Sequence, residues 1–327
     1  MGRALKSMDR PNKNLTDLNK PLTRFSVVIC TRNRMRFLAQ AIESVISQNY
    51  DVDRYELIII DNGPSTDIRR LVEEYSETAP VTISYYVEPR LGVSFARNLG
   101  IERARYEYVA FLDDDAVAEQ DWLAAFDYAI REYGAVAAGG PVEPVFEAGT
   151  ELPAGWNEIR KLYGFDHGTL YPGQTVVRIH WPLWLGGGNS VYSKELIQNH
   201  GSFRTDFGPR GGHYRIAADV DLNVRLEHAG VPIYYVANAK IRHNLAEERF
   251  SKRFIWRRMY CAGITNAHGW SIIGGRKNPP RLMNVVLAVV RFMTAMPHKR
   301  IIAGSHLAYL YGYLYQKRFI ARQSKRN

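Results

Sequence analysis

The first half of the chain alternates between two spacings of apolar residues. Four short, continuous apolar runs end in polar residues and predict buried strands, at residues 25–31, 55–63, 81–88 and 106–112. Between these runs apolar residues recur at helical spacing, at residues 35–48, 68–75 and 92–104. Continuous apolar strands that alternate with helices are typical of a parallel sheet covered on both faces. The pattern therefore predicts an α/β fold with a mostly parallel sheet flanked by helices.

The pattern is looser in the second half of the chain. After a helix predicted at 122–133, residues 140–185 are rich in Pro, Gly and aromatic residues, which is typical of an insertion on the substrate side. Four further segments follow: a Gly-rich turn running into a helix at 186–197, a flexible basic loop at 207–215, a helix closed by glycine at 217–230 and extended chain at 231–244. No internal repeat is visible in the sequence.

Composition and cysteine content favour a folded protein without disulfide bonds. Hydrophobic residues make up 46% of the 327 residues and charged residues 23%, which allows a full core and disfavours global disorder. Cys30 and Cys261 are too few for a disulfide scaffold. They predict two reduced structural thiols in a cytosolic protein.

The positive charge of the chain is concentrated at one end. Residues 249–327 contain 16 of the 43 Lys and Arg and none of the 33 Asp and Glu. The first 248 residues therefore have a net charge of −6, because 27 basic residues face 33 acidic ones. A mildly acidic body with a strongly basic tail indicates a polyanionic partner, either nucleic acid or an anionic membrane surface.

Two apolar stretches in the basic tail favour the membrane as its partner. They cover residues 282–296 and 301–315, each shorter than the about 20 residues needed to span a bilayer. Interfacial helices flanked by Lys and Arg fit them, and a packed helical hairpin is the alternative. Nucleic acid is disfavoured because long apolar stretches interrupt the tail and it has no recognised RNA-binding motif. Residues 1–24 form a polar arm without the apolar core of a signal peptide, so we expect a cytoplasmic protein, peripheral on the cytoplasmic face of the inner membrane.

Three consecutive carboxylates follow the fourth predicted strand, in the sequence "FLDDDA". Asp113, Asp114 and Asp115 repel one another, and burying any of them is costly without a positive partner. A hard divalent cation is one such partner, and a solvated acidic turn is the alternative. Asp113, Asp115 and Val117 also match the aspartyl-phosphate nucleophile motif of haloacid dehalogenase phosphohydrolases, but that motif normally lies on the first strand and here three strands precede it.

Other candidate residues lie at the ends of predicted elements. Asp61 ends the second strand, and the carboxyl ends of parallel strands open into one crevice, so Asp61 and Asp113 are expected to face it together. Asp219 and Asp221 begin a predicted helix, where a carboxylate either complements the helix dipole or acts as a general base. His243, in the polar sequence "KIRHN", is either structural or a metal ligand.

Seven ordered motifs resemble the inverting family 2 glycosyltransferases, over about residues 25–245. They are "FSVVICTRNR…LAQAIESVISQNY", "YELIIIDNGPSTD", "EPRLGVSFARNLGI", "YVAFLDDDA", "GGGNSVYSKEL", "ADVDLNVRLEHAG" and "IRHN". The resemblance implies a GT-A fold, a Rossmann-type mostly parallel sheet. It also implies a glycosyltransferase domain at 25–245, with a nucleotide-binding half at 25–118 and an acceptor-binding half at 119–245. Residues 246–327 are then a basic helical extension.

The resemblance also implies roles for the candidate residues on the donor side. The nucleotide would be contacted by Thr31, Arg32, Asp61, Arg97, Asp113 and Asp114. Asp113 and Asp115 would be the DXD pair of the family, with Asp115 on the metal and Asp113 at the ribose or a metal-bound water. His243 would complete the site for Mn²⁺ or Mg²⁺.

On the acceptor side, the resemblance implies that Asp219 is the catalytic base. The sugar and acceptor would be bound by Gly187, Gly188, Asn189 and Asp221. The family has Glu before its catalytic Asp, whereas this chain has Ala218, which leaves the choice between Asp219 and Asp221 open.

The function implied is a metal-dependent inverting transfer of one sugar to a hydroxyl of a glycan or lipid-linked acceptor. A UDP-sugar is the favoured donor, in bacterial polysaccharide or glycolipid assembly. The Gln-x-x-Arg-Trp motif of processive synthases is not evident in the tail, so a single addition is expected. From a different class of function, a non-catalytic polyanion- or membrane-binding protein would use the same tail without needing the acidic residues.

Overall fold

The computed structural model describes most of the chain. The described residues are 21–146, 149–152, 156, 175–181, 183–205, 209–210, 213–214, 218–273, 282–296 and 299–323. Most of the predicted polar arm, much of the predicted insertion at 140–185 and most of the predicted loop at 207–215 lie outside these residues.

The first half of the chain forms four parallel strands in the order β3-β2-β1-β4. The strands are β1 (Phe25–Thr31), β2 (Tyr55–Asp61), β3 (Thr82–Val87) and β4 (Tyr108–Asp113). The helices between them are α1 (Met35–Ile46), α2 (Thr66–Thr78) and α3 (Val93–Arg103). In the parallel register Thr31 pairs with Asp61 and Cys30 with Asp113, so both acidic strand ends lie at one edge, as predicted.

The second half extends this sheet to eight strands, in the order β3-β2-β1-β4-β9-β6-β12-β8. The added elements are α4 (Trp122–Tyr133), β6 (Ala137–Gly139), β8 (Val176–Ile179), β9 (Asn189–Ser193), α5 (Lys194–His200) and β12 (Ile233–Val236). Clusters of buried apolar residues cover both faces of the sheet. The predicted mostly parallel sheet flanked by helices is confirmed.

The predicted Gly-rich turn and helix at 186–197 are both present, but the prediction lacked the strand β9, which lies between them. β9 is antiparallel to both β4 and β6 and is buried in the middle of the sheet. Its polar residues Asn189 and Ser190 are fully buried, so the strand lacks the continuous apolar run that marks β1 and β2.

The predicted extended chain at 231–244 is two strands in two different sheets. Its first part is β12, and its second is β13 (Ile241–Leu245), which lies between β5 (Ala116–Ala118) and β7 (Val142–Phe146) in a three-stranded sheet. His243 pairs with Ala116, and this pairing brings it beside the acidic end of β4. The remaining elements before the extension are the short pair β10 (Pro209–Arg210) and β11 (His213–Tyr214) and the helix α6 (Ala218–His228).

The C-terminal extension contains three helices. They are α7 (Lys252–Ile273), α8 (Leu282–Thr294) and α9 (Arg300–Gln323). Helices α7 and α9 pack closely at Gly263 and Gly312, which have no side chain. A Cβ at either glycine would overlap the backbone of the other helix. Among the described helices, none combines the length and the hydropathy required to cross a bilayer.

Candidate functional site

The turn after β1 brings an arginine to the three carboxylates. Asn33 adopts a positive φ of 55°, a left-handed conformation that Asn tolerates better than most residues. Arg34 follows it, and its Nη1 lies 3.1 Å from Asp114 Oδ1 and 2.7 Å from Asp115 Oδ2. Arg34 therefore supplies part of the counter-charge that the sequence "DDD" requires.

Asp115 is buried and is held by three positively charged or titratable side chains. Its Oδ1 lies 2.8 Å from His243 Nε2, and its Oδ2 accepts hydrogen bonds from Arg249 at 2.9 Å and from Arg34 at 2.7 Å. Burial opposes ionisation of Asp115, but His243, Arg249 and Arg34 outweigh it and lower the pKa of this carboxyl below its ordinary value. Its three partners therefore favour the ionised form of Asp115 even though the side chain is buried.

Asp114 has a different environment. It is also buried, and burial raises the pKa of its carboxyl to about 6, with Arg34 acting in the opposite direction. Asp113, in contrast, exposes 43% of its side chain. The three consecutive acids are therefore distinct: Asp113 is the most exposed, and of the two buried acids the pKa of Asp114 is raised and that of Asp115 is lowered.

Asp113, Asp115 and His243 form a candidate metal centre. One ligand atom from each lies within 4.8 Å of the other two. Two carboxylate oxygens and an imidazole nitrogen suit a divalent cation such as Mn²⁺, and the exposed side of Asp113 leaves room for a substrate ligand. The donor set therefore fits the metal site that the sequence predicts.

A glycine turn joins this centre to Asp219. A Cβ at Gly188 would overlap the carboxylate of Asp113, and one at Gly187 would lie 2.5 Å from Arg97 Nη1. The backbone N–H of Gly187 donates a hydrogen bond to Asp219 Oδ2 at 2.8 Å. Only residues without a side chain allow Asp113, Arg97 and Asp219 to approach the turn this closely.

Arg97 lies between the carboxylates of Asp113 and Asp219. Its guanidinium is buried and is 3.5 Å from Asp113 Oδ1. Burial opposes its charge, but Asp113 and Asp219 raise the pKa of Arg97 above its ordinary value. The buried guanidinium of Arg97 therefore links Asp113, in the candidate metal centre, to Asp219 at the start of α6.

Asp219 and Asp221 occupy different environments. Asp219 is partly exposed and holds the glycine turn. Asp221 is fully buried, with Oδ2 bonded to Arg225 at 2.9 Å and Oδ1 to His268 at 3.0 Å. Burial opposes ionisation of Asp221, but His268 and Arg225 lower its pKa. Because His268 lies on α7, this network ties α6 to the C-terminal extension.

Asp221→Ala is expected to destabilise the protein by about 3–5 kcal/mol, because it leaves the charge of Arg225 without its buried partner. Urea unfolding measures the loss. The control is Asp67→Ala, which removes an exposed Asp from the first turn of α2 and should change stability by less than about 0.5 kcal/mol. Equal stability of the two variants would contradict the structural role of Asp221.

The other predicted site residues are placed as follows. Asp61 is fully buried and accepts hydrogen bonds from Gly63, Ser65 and Tyr85, so it shapes the turn after β2. Asn189 is also fully buried.

Asn189 accepts a hydrogen bond from Trp122 and donates to the backbone carbonyls of Pro141 and Ala239. These bonds hold the residue that follows the glycine turn in place. Thr31 is buried at the end of β1, and Arg32 is exposed and packs over Gly63.

Sequence reasoning missed Arg34 and Arg249. Arg34 lies one turn beyond β1, beside the strand that carries the acids, and this neighbour relation could have identified it. Arg249 lies at the start of the basic extension, where the sequence shows only its contribution to the positive charge. Nothing in the sequence near Arg249 indicates its ion pair, because Asp115 is 134 residues away along the chain.

Comparison with known proteins identifies relatives that match most of the chain. The family model described as "Glycosyl transferase family 2" matches residues 26–199. A glucosyl-dolichyl phosphate glucuronosyltransferase of Haloferax volcanii is 29% identical over 69% of this chain and 71% of its own. The succinoglycan biosynthesis protein ExoM of Rhizobium meliloti is 27% identical over 76% of this chain and 80% of its own.

Solved structures share the fold. The mannosyltransferase PcManGT from Pyrobaculum calidifontis, in complex with GDP-Man and Mn²⁺, superposes with a TM-score of 0.52 at 17% identity, over 95% of this chain and 80% of that one. S. aureus TarS superposes with a TM-score of 0.53 at 14% identity, over 88% of this chain. The chain spans 54% of the TarS structure.

Proposed function

The chain belongs to glycosyl transferase family 2 and is a glycosyltransferase, and from this premise we propose that it moves one sugar from a nucleotide-diphosphate sugar to an acceptor hydroxyl with inversion. One observation carries the proposal. Asp219 lies across the Gly187–Gly188 turn from Asp113 and Arg97, next to the cluster completed by Asp115 and His243. With the base on one side of the turn and the site for the metal and the diphosphate on the other, the acceptor oxygen can attack the anomeric carbon from the face opposite the departing diphosphate.

On the acceptor side, Asp219 is the general base in this proposal. It takes the proton of the acceptor hydroxyl while that oxygen forms a bond to the anomeric carbon, and the bond from this carbon to the diphosphate oxygen breaks on the opposite face. The Gly187 N–H fixes the orientation of the carboxylate through Oδ2. Asp221 is not the base in this proposal because it is fully buried and both its oxygens are bonded, one to Arg225 and one to His268. Correct placement of a base is worth about 10²–10⁴ in rate.

On the donor side, Asp113, Asp115 and His243 would hold a divalent cation, Mn²⁺ or Mg²⁺. When bound, such an ion supplies positive charge that stabilises the departing diphosphate. Thr31, Arg32 and Asp61, at the ends of β1 and β2, are proposed to form the nucleotide pocket, since ligands of such sheets bind beyond the carboxyl ends of the strands. A UDP-sugar is the favoured donor.

The proposed acceptor is a glycan or lipid-linked sugar at the cytoplasmic face of a membrane. Two observations support it. One relative is named for glucosyl-dolichyl phosphate and another for succinoglycan biosynthesis. The acid-free extension after residue 248 suits an anionic membrane surface. The alternative of an aspartyl-phosphate phosphohydrolase has no support in the family assignment.

The test of this function is release of nucleoside diphosphate from a panel of UDP-, GDP- and dTDP-sugars. The protein is incubated with each donor and Mn²⁺, with and without a membrane extract as acceptor source. Acceptor-dependent release from one donor, abolished by EDTA, is expected. Release from no donor under any of these conditions would contradict the proposal.

Arg249→Ala is expected to tighten Mn²⁺ binding about three- to tenfold in the absence of nucleotide, because Arg249 competes for Asp115 Oδ2 and repels a cation there. Titration followed by the electron paramagnetic resonance of free Mn²⁺ measures the affinity. Arg253→Ala, which removes an exposed arginine from α7, is the matched control and should leave the affinity unchanged. Weaker binding by Arg249→Ala would show that Arg249 supports the metal site instead of opposing it.

A further inference from the structure

Helix α8 presents a continuous apolar face to solvent. Five large apolar residues at spacings of three and four expose between 46% and 73% of their surface; they are Met283, Val286, Leu287, Val290 and Met293. We call these five residues the α8 outer face. Contiguous apolar surface of this kind on a folded chain marks an interaction site.

The outer face is not needed to hold α8 in the fold. The opposite side of the helix carries Val285, Ala288 and Phe292, which are buried or half-buried. The ring of Phe292 packs edge-on against Trp256 of α7, with centroids 5.8 Å apart. The helix is thus apolar on two sides, and within the described part of the chain only the side with Phe292 is packed against other helices.

The charge around the outer face indicates what covers it. The extension from residue 249 onward has 16 Lys and Arg and no acidic residue. Those that the structure describes as exposed on or beside α8 and α9 include Arg291, Lys299, Arg300, Lys317 and Arg318. A second copy of the chain would bring 16 further positive side chains against these, and the resulting repulsion disfavours self-association. An anionic lipid surface has the complementary charge.

The length of α8 indicates its orientation relative to the bilayer. Its 13 residues form a helix about 20 Å long, well short of the about 30 Å hydrocarbon core. A helix with one packed side, one exposed apolar side and basic flanks lies in the plane of the interface.

We propose that the α8 outer face inserts into the interfacial layer of an anionic bilayer and docks the enzyme there. This deepens the proposed membrane location by assigning it to named residues, and it is independent of the proposed catalysis. The apolar side chains supply the insertion and the basic residues supply the attraction to anionic headgroups. Docking therefore requires both an intact outer face and anionic lipid.

The test is flotation of the full chain with vesicles of phosphatidylcholine alone or mixed with phosphatidylglycerol. The variant is Val286→Glu/Val290→Glu, which places two charges on the outer face. The control is Val52→Glu/Tyr128→Glu, which adds the same charge at two exposed apolar residues outside the extension. Far-UV circular dichroism and Mn²⁺-dependent nucleotide binding establish that both variants are folded.

The wild type and the control are expected to float with the mixed vesicles, and the α8 variant to lose at least about tenfold of its bound fraction. Absence of flotation by the wild type, or equal flotation by the α8 variant, would overturn the proposal. So would a wild-type dimer in sedimentation velocity that the α8 variant converts to a monomer, since a second copy would then cover this face. Loss of nucleotide binding in all three proteins would count against the proposed catalysis and leave the flotation result to decide on α8.

Discussion

Asp219→Asn is expected to lower turnover about 10²–10⁴-fold while leaving donor binding almost unchanged. The amide cannot take up the acceptor proton. Its oxygen can still accept the hydrogen bond from the Gly187 N–H, so the glycine turn keeps its position beside Asp113. Nucleoside diphosphate release measures turnover, and calorimetric titration with the nucleoside diphosphate measures binding.

Two variants control for the position and the chemistry of Asp219. Asp67→Asn makes the same change in the first turn of another helix and should leave turnover unchanged. Asp221→Asn is expected to lower stability more than it lowers turnover per folded molecule, because Asp221 belongs to the buried network with Arg225 and His268. Full turnover in Asp219→Asn would remove the base from the proposal. Loss of turnover confined to a stably folded Asp221→Asn would transfer that role to Asp221.

Asp115→Asn is expected to weaken Mn²⁺-dependent binding of the donor nucleotide by at least about 10–100-fold, the loss seen when even an outer partner of a metal site is removed. The substitution removes a carboxylate whose Oδ1 faces His243 and whose Oδ2 faces Arg34 and Arg249. Calorimetric titration with and without EDTA measures the effect. The residual affinity should equal that of the wild type in EDTA.

The matched control for Asp115→Asn is the same change at the neighbouring residue. Asp114 is buried against Arg34, and burial raises its pKa to about 6, so it is a poorer candidate for a metal ligand. Asp114→Asn should therefore keep the dependence of nucleotide binding on Mn²⁺. The same loss in both variants would indicate a general effect of charge at the end of β4, and no loss in Asp115→Asn would contradict its role as a metal ligand.

The sequence predicted the strands β1 to β4 and the helices up to α4 because short-range pattern determines them. Strand β1 and helix α4 have the predicted bounds, and the acids at the ends of β2 and β4 lie at one edge because parallel strands share that edge. Strand β9 could not be predicted from apolar pattern. Its buried Asn189 is satisfied by Trp122 and by two backbone carbonyls, and these partners are distant in sequence.

The same limit applied to the charges of the candidate site. The three consecutive acids indicated that a positive partner was needed, and a divalent cation was the partner predicted. The protein supplies part of that charge itself, from Arg34 near β1 and from Arg249, 134 residues beyond Asp115. A contact across that separation depends on how β13 and the start of the extension pack beside β4, which local pattern does not encode.

The C-terminal extension was predicted by its charge and apolar stretches, but its links to the rest of the chain were not. Arg249 reaches Asp115, and His268 of α7 reaches Asp221. Both contacts join the extension to residues of the candidate site or next to it. The extension therefore contacts the site through Arg249 and the adjoining helix α6 through His268, as well as carrying the proposed lipid-binding face.

Nucleotide binding by thermal shift tests the central claim most directly, namely that Asp113, Asp115 and His243 bind a donor diphosphate through a divalent cation. The wild type is melted with UDP-, GDP- and dTDP-sugars in Mn²⁺ and in EDTA, since a ligand that binds only the folded state raises the apparent melting temperature. We predict stabilisation by at least one donor in Mn²⁺, its loss in EDTA and in Asp115→Asn, and its retention in Asp219→Asn. Stabilisation that is equal in Mn²⁺ and EDTA, or absent with every donor, would contradict the account.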